Sequence, residues 1–120
     1  DISFGHIGQF ANREDFVAIF VALGCHEHIV DMHHAENILV EMTGPDTASG
    51  RVGLRFHSIN TRDKTTVQLG GFYEDEYRRV DGEWLISASR FNVRSALIID
   101  YSSGSNSVVW ADNHMPPQAA

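Results

Sequence analysis

Side chains that can transfer protons recur at alternating positions of segments with strand-like patterns. His33 and His57 lie in two such segments, and Tyr73 and Asp75 share one face of a third. We predict that these segments are neighbouring strands and that both imidazoles line one face. A histidine beside a tyrosine, a carboxylate or a second histidine can act as a general acid or base near neutral pH. The spacing therefore indicates a proton-transfer site; the alternative is that these faces are simply exposed to solvent.

The histidines also raise the question of a metal site. Four of the seven fall between His26 and His34, but no pair of them matches the spacing of a structural zinc site. His33 and His34 are adjacent on a predicted strand, so their side chains point to opposite faces. We therefore predict no bound metal; the remaining alternative joins His33 and His57 across two strands with Asp75 nearby. No glycine-rich phosphate loop opens a helix, and no cofactor is predicted.

The elements that must position these residues are one helix and four long strands. Asn12 is placed to cap the helix and Gly24 to end it in a left-handed conformation. Asp81-Gly82 is a two-residue hairpin signal between the last two strands. Strands this long must twist, so we predict an α+β fold with a highly curved, mostly antiparallel sheet and the helix across its concave face, enclosing a pocket. After a short strand at Ile2, alternation predicts strands over about 29–42, 48–59, 66–80 and 83–97.

Length and charge limit what the protein can be. A chain of 120 residues makes one domain; we assign residues 1–101 to it and predict an irregular tail over 102–120, which contains Pro116 and Pro117. The net charge of −7 argues against nucleic acid and anionic membranes as partners, because phosphate binding needs concentrated Lys and Arg. No apolar run is long enough to span a membrane. The single Cys25 forms no intrachain disulfide, and the lack of a signal-peptide pattern leads us to expect a cytoplasmic location.

Longer motifs in the same segments resemble a known family. The relevant stretches read HHAENILVEMTGPDTASG, GGFYEDEYRRVDGEW and LISASR. From Asp1 to about Leu97 the chain is similar to the SnoaL-like branch of the nuclear-transport-factor-two-like superfamily, near scytalone dehydratase and related lyases. The most specific part is an acidic strand that enters the Asp81-Gly82 hairpin and leaves through Trp84. The resemblance implies a cone-shaped sheet around a pocket, a fold that hosts dehydratases, isomerases, cyclases and non-catalytic binders.

The resemblance also implies which positions face the pocket. In scytalone-dehydratase-like members the pocket residues match His33, His57 and Tyr73, and an arginine on the last strand matches Arg90 better than Arg94. Those enzymes pair their histidine with an aspartate from N-terminal helices, which are absent from this sequence. We therefore expect either a missing upstream segment or a pocket that is open on one side.

Two functions of different classes are predicted. The first is a cofactor-independent lyase or isomerase, acting like a dehydratase on a small, apolar, oxygenated substrate. In it His33 is the general base or acid, and Arg90 stabilises developing negative charge. The second is a non-catalytic module of the same fold that binds a small ligand or pairs as a homodimer through Ile38, Val40, Val52 and Leu54. The expected catalytic residues are His33, His57, Tyr73, Asp75 and Arg90.

Overall fold

Seven strands and one helix make up most of the described chain. The computed structural model describes residues 1–5, 7–103 and 105–111, the last stretch as backbone only. Residues 6, 104 and 112–120, which include Pro116 and Pro117 of the expected tail, lie outside the described residues. In chain order the elements are β1 (Ile2–Phe4), β2 (Gly8–Phe10), α1 (Arg13–Gly24), β3 (Ile29–Gly44), β4 (Thr47–Asn60), β5 (Thr65–Val80), β6 (Glu83–Asp100) and β7 (Ser105–Ala111).

The strands form one mixed sheet that is curved but does not close. Its order is β2-β1-β6-β5-β4-β3, and β7 pairs with the second half of β6. All neighbours are antiparallel except β1 and β6, which run parallel. The predicted α+β class with a curved, mostly antiparallel sheet is confirmed. Two strands were not predicted. The sequence of β2 has no clear alternation, and β7 lies where an irregular tail was expected. The pairing of β7 with β6 extends the sheet.

Local sequence fixes both ends of α1. The Asn12 side chain accepts a hydrogen bond of 2.8 Å from the Asp15 backbone N–H, as predicted for an N-cap. The helix ends at Gly24 as expected, but not through a left-handed residue, since Gly24 has no positive φ. Instead Cys25 is the C-cap, and its N–H donates to the Val21 carbonyl at 3.3 Å. Within the described residues no helix is both long and apolar enough to cross a bilayer.

Side chains of the sheet alternate between the helix face, which packs against α1, and the outer face. On the helix face, the Phe4 ring lies 4.9 Å from the Phe91 ring, and it contacts Phe16 and Phe20 of α1 at 5.4 and 5.2 Å. Tyr73 packs against Phe91 at 4.7 Å. Contacts between these rings hold α1 against the sheet. The aromatic group borders the buried core, which consists of Leu54, Phe91, Val93 and Ala96.

The core is small for a chain of this length. Among the described residues no large side chain is fully buried, and on β3 the side chains of Ile38, Leu39, Val40 and Met42 are between 58% and 70% exposed. This exposure agrees with only part of the expected dimer surface. Leu54 lies in the core at 7% exposure, so it is unavailable to a second subunit.

A β-bulge divides β3 into two parts. Between Glu36 and Leu39 the register slips, and Asn37 has a φ of 54°. Strict alternation predicts opposite faces for His33 and Val40, but the bulge brings both to the helix face.

The turn between β5 and β6 sets a second register. The predicted two-residue hairpin is confirmed, and Asp81 and Gly82 have φ values of 52° and 82°, as in a type I′ turn. Next to this turn Val80 pairs with Glu83. A bulge between Tyr77 and Glu76 adds one residue on β6, so beyond it each residue of β5 pairs one position further along β6.

Candidate functional site

A cavity of about 730 Å³ lies between α1 and the helix face of the sheet, and it is open to solvent. Its helical wall is mostly apolar, with Phe16, Phe20 and Val21, and also includes Arg13. On the sheet side it is lined by His33 of β3 and by Tyr73 and Asp75 of β5. Three of the five predicted site residues therefore border one cavity.

His33 lies in the first half of β3, close to where the chain leaves α1. Its ring packs against the ring of Phe56 on β4, with centroids 4.6 Å apart, and its side chain is otherwise exposed. Within the described part of the chain, no group forms a hydrogen bond with the His33 imidazole. His33 pairs with Phe56 of β4, and Asp75 pairs with Gly50 of the same strand. Phe56 and Gly50 are six residues apart, which is a distance of about 20 Å along a strand. His33 and Asp75 therefore do not form a histidine–aspartate pair, and a ligand would contact them at different points.

Tyr73 lies deeper in the cavity, among the aromatic rings. Its ring is 5.9 Å from Phe4 and 4.7 Å from Phe91. Burial, and to a smaller extent the negative charge of Asp75, raises the pKa of Tyr73 to about 12. The phenol therefore keeps its proton at neutral pH and can donate a hydrogen bond to an oxygen of a bound molecule.

Asp75 is buried, at 8% exposure, and is the one charged residue so buried among those described. The Ser89 hydroxyl donates to its Oδ1 at 2.6 Å, and the Tyr77 hydroxyl donates to its Oδ2 at 3.1 Å. Gly50 makes room for this arrangement, because a Cβ at that position would lie 2.7 Å from Cε2 of the Tyr77 ring. Burial raises the pKa of Tyr77, and the charge of Asp75 and its hydrogen bond act in the same direction, so this phenol also stays protonated.

Asp75 and Ser89 belong to a layer of paired positions that crosses six strands. This layer borders a second open cavity, of about 1040 Å³, and Asp75 and Ser89 line both cavities. Asp75 is the one charged residue of the layer, so a carboxylate lies where the two cavities meet. In order across the sheet, the members of the layer are Phe10, Ile2, Ser89, Asp75, Gly50 and Val40.

His57 does not share the face of His33. In the register between β3 and β4, His33 pairs with Phe56 and His57 pairs with Met32, which places His57 on the outer face. The expected juxtaposition of the two histidines is therefore wrong, and they cannot hold one metal ion together with Asp75. The His57 Nε2 is buried and has no hydrogen-bond partner in the structure as described.

Arg90 is also turned away from the cavity beside α1. It pairs with Glu74 of β5, and both lie on the outer face because their neighbours Ser89 and Asp75 occupy the helix face. Arg90 is therefore not in the cavity with His33 and Tyr73, contrary to the expectation, although it lines the second cavity together with Asp75.

Ser89 and Tyr77 hold Asp75 but were not predicted as site residues. Continuing the register of the Asp81-Gly82 hairpin along β5 would place Asp75 opposite Ala88, and the bulge after Glu76 moves it opposite Ser89. Nothing in the sequence marks that bulge. Tyr77 did carry a signal, since it follows Asp75 at the alternating spacing of one strand face.

Comparison with known families gives a match that covers most of the chain. The model of the SnoaL-like domain matches residues 1–90. The chain belongs to the SnoaL-like domain family. Among curated proteins no sequence matches it. The predicted membership in this branch of the nuclear-transport-factor-two-like fold is thus confirmed.

Several solved structures share the fold of this SnoaL-like protein. A scytalone dehydratase-like protein from Novosphingobium aromaticivorans has a TM-score of 0.72 and 20% identity, over 99% of this chain and 73% of its own. The Kfla4162 protein from Kribbella flavida has a TM-score of 0.66 and 16% identity, over 79% and 69%. The hexachlorocyclohexane dehydrochlorinase LinA-type3 from Novosphingobium barchaimii has a TM-score of 0.62 and 18% identity, over 97% and 73%. At these identities the likeness establishes the shared fold and not the activity.

Proposed function

We propose that this SnoaL-like protein is an acid–base lyase or isomerase for a small, largely apolar, oxygenated molecule that binds between α1 and the sheet. The observation that carries the proposal is one cavity lined by His33, Tyr73 and Asp75, with aromatic side chains on its other walls. The names of two structural relatives, a dehydratase and a dehydrochlorinase, describe eliminations, and such reactions begin or end with a proton transfer. The proposed chemistry needs proton donors and acceptors and no cofactor.

The proposed mechanism assigns different tasks to the histidine and the tyrosine. The His33 imidazole takes a proton from a carbon of the substrate. The electron pair of the broken C–H bond forms the new double bond, and the leaving group departs with the pair of its own bond. Tyr73, which keeps its proton because of its raised pKa, donates a hydrogen bond to the oxygen on which negative charge develops.

A substrate-independent probe tests the role of His33. Ring opening of 5-nitrobenzisoxazole requires only the removal of one carbon-bound proton, so it reports a base in an apolar cavity. We expect His33→Ala to lower kcat/KM by about 10²-fold or more. His34→Ala is the matched control, because His34 is an exposed histidine that pairs with Arg55 on the outer face. If both variants fold and turn the probe over at equal rates, His33 is not the base.

A second candidate function is a non-catalytic module that assembles as a homodimer. It is favoured by β3, an edge strand of the described sheet, on which Ile38, Leu39, Val40 and Met42 are more than half exposed. Large apolar surfaces of this kind mark interfaces between proteins. We expect sedimentation to show a dimer that Val40→Asp dissociates. A monomer at every concentration would exclude the homodimer.

A further inference from the structure

We infer that Asp75 anchors a hydrogen-bond donor at one end of the ligand, an ammonium or a hydroxyl group, and that the site discriminates against carboxylate-bearing molecules. The inference rests on the proposed ligand cavity and adds to it the chemical class of the ligand. It follows from the hydrogen bonds of Asp75, from its missing counter-charge and from the apolar residues around it.

The hydrogen bonds of Asp75 leave part of its capacity unused. A carboxylate offers about four lone-pair positions to donors. Ser89 and Tyr77 occupy one position on each oxygen, and no further donor to Asp75 is found among the described residues. Because Asp75 lines the cavity beside α1, a ligand bound there can supply the missing donors.

Asp75 also lacks an opposite charge. Within the described residues it forms no ion pair, whereas the exposed Glu36 and Asp46 pair with Arg55 and Arg79. A buried carboxylate without a counter-charge is unfavourable, and hydroxyl donors compensate for only part of that loss. A ligand ammonium would supply the missing charge, and a ligand hydroxyl would supply a donor. A ligand carboxylate would place a second negative charge next to the first.

The surroundings of Asp75 select an apolar body for the same ligand. In its layer Ile2 lines the same cavity, and the neighbouring Gly50 has no side chain. Towards α1 the cavity is bordered by Phe16 and other apolar side chains. Arg13 and the N-terminal Asp1 also line this cavity, but most of its lining is apolar, which suits an amphipathic molecule.

The geometry of the carboxylate is fixed before a ligand arrives. Ser89 holds one oxygen from β6, and Tyr77 holds the other from the same strand as Asp75. Tyr77 can reach Asp75 because Gly50 leaves its ring room. Side chains held in this way lose little freedom on binding, which favours affinity.

Three ligands of one size test the inference by equilibrium calorimetry: 3-phenylpropylamine, 3-phenylpropanol and 3-phenylpropionate. Near pH 7 the amine is protonated and the acid is ionised. We expect the amine to bind most tightly and the acid most weakly, with Kd values that differ by about 10- to 100-fold. If the acid binds the wild-type protein as tightly as the amine and the alcohol, the inference is refuted.

Two variants separate the carboxylate from the overall charge of the protein. Asp75→Asn is expected to abolish the preference for the amine. Glu83→Gln removes the same charge from an exposed position in the hairpin. This variant is expected to preserve the preference for the amine. Equal effects of the two changes would refute a role for Asp75. If Asp75→Asn does not fold, the ranking of the three ligands by the wild-type protein decides on its own.

The same measurement on His33→Ala keeps this inference apart from the proposed function. Binding of the three ligands involves no proton abstraction, so the variant is expected to keep their order. Loss of benzisoxazole turnover with an unchanged ligand order supports both proposals. A wild-type protein that ranks the ligands as expected but does not open the benzisoxazole ring would contradict the lyase alone.

Discussion

Replacing Ser89 by alanine tests whether the buried carboxylate depends on its hydrogen bonds. The Ser89 hydroxyl donates to Oδ1 of Asp75 at 2.6 Å, and Asp75 is 8% exposed. A hydrogen bond to a charged group contributes about 1.5–3 kcal/mol. Ser89→Ala is therefore expected to lower the free energy of unfolding by about 1.5–3 kcal/mol. For a domain with so small a core this is a large fraction of the total.

Ser87→Ala is the matched control for this substitution. Ser87 lies two residues earlier on β6, is exposed, and donates to the Glu76 carbonyl at 3.2 Å. Water can replace that hydrogen bond, so the control is expected to change the free energy of unfolding by about 0.5 kcal/mol or less. Both values come from urea unfolding, provided that the dependence on urea is the same as in the wild-type protein.

The Asp75→Asn background makes the test more specific. If the Ser89 hydroxyl acts through the charge of Asp75, Ser89→Ala is expected to lower stability less in that background than in the wild-type protein. Equal losses for Ser89→Ala and Ser87→Ala would refute the reasoning. So would a loss for Ser89→Ala that is unchanged by Asp75→Asn.

Three further predictions concern the backbone, pH and the helix. Gly71→Ala would place a Cβ 2.2 Å from a backbone oxygen of β6, whereas at Gly70 the Cβ would meet a serine hydroxyl at 3.1 Å. Thermal unfolding should therefore show a much larger loss of stability for Gly71→Ala than for Gly70→Ala. The raised pKa of Tyr73, about 12, stabilises the fold below pH 10, and this contribution is lost as the pH rises from 10 towards 12; Tyr73→Phe should flatten that decline in unfolding measurements. Asn12→Ala removes the N-cap bond to Asp15 and should cost about 1 kcal/mol in urea unfolding, while Asn12→Ser should retain most of it.

Much of the fold was accessible from local patterns. Period-two alternation predicted the four long strands, and Asp81-Gly82 predicted a hairpin whose two positive φ values are observed. Asn12 predicted the start of α1. These features depend on a few adjacent residues, so the sequence reports them directly. β7 was missed because the Ser/Gly/Asn-rich stretch 102–107 predicted an irregular tail, although β7 pairs with β6 directly across the turn that follows Asp100.

The candidate site was predicted less completely, because two bulges changed which residues face each other. Near the turn between β3 and β4, Met42 pairs with Ala48, and continuing that register would place His33 opposite His57. The bulge after Glu36 shifts the pairing by one residue, so His33 moves to the helix face opposite Phe56, while His57 stays on the outer face. His33 borders one cavity with Tyr73 and Asp75 because this bulge turns it to the helix face.

The bulge after Glu36 has a consequence for how β3 can change in evolution or by design. Since the residues before and after it alternate out of phase, a deletion of Asn37 would restore strict alternation through the strand. It would then reverse the orientation of either His33 or the exposed apolar group around Val40, but not of both. The ligand-facing part and the surface-exposed part of one strand are in this way two independent units, and a change in the length of the chain between them can alter one while it spares the other.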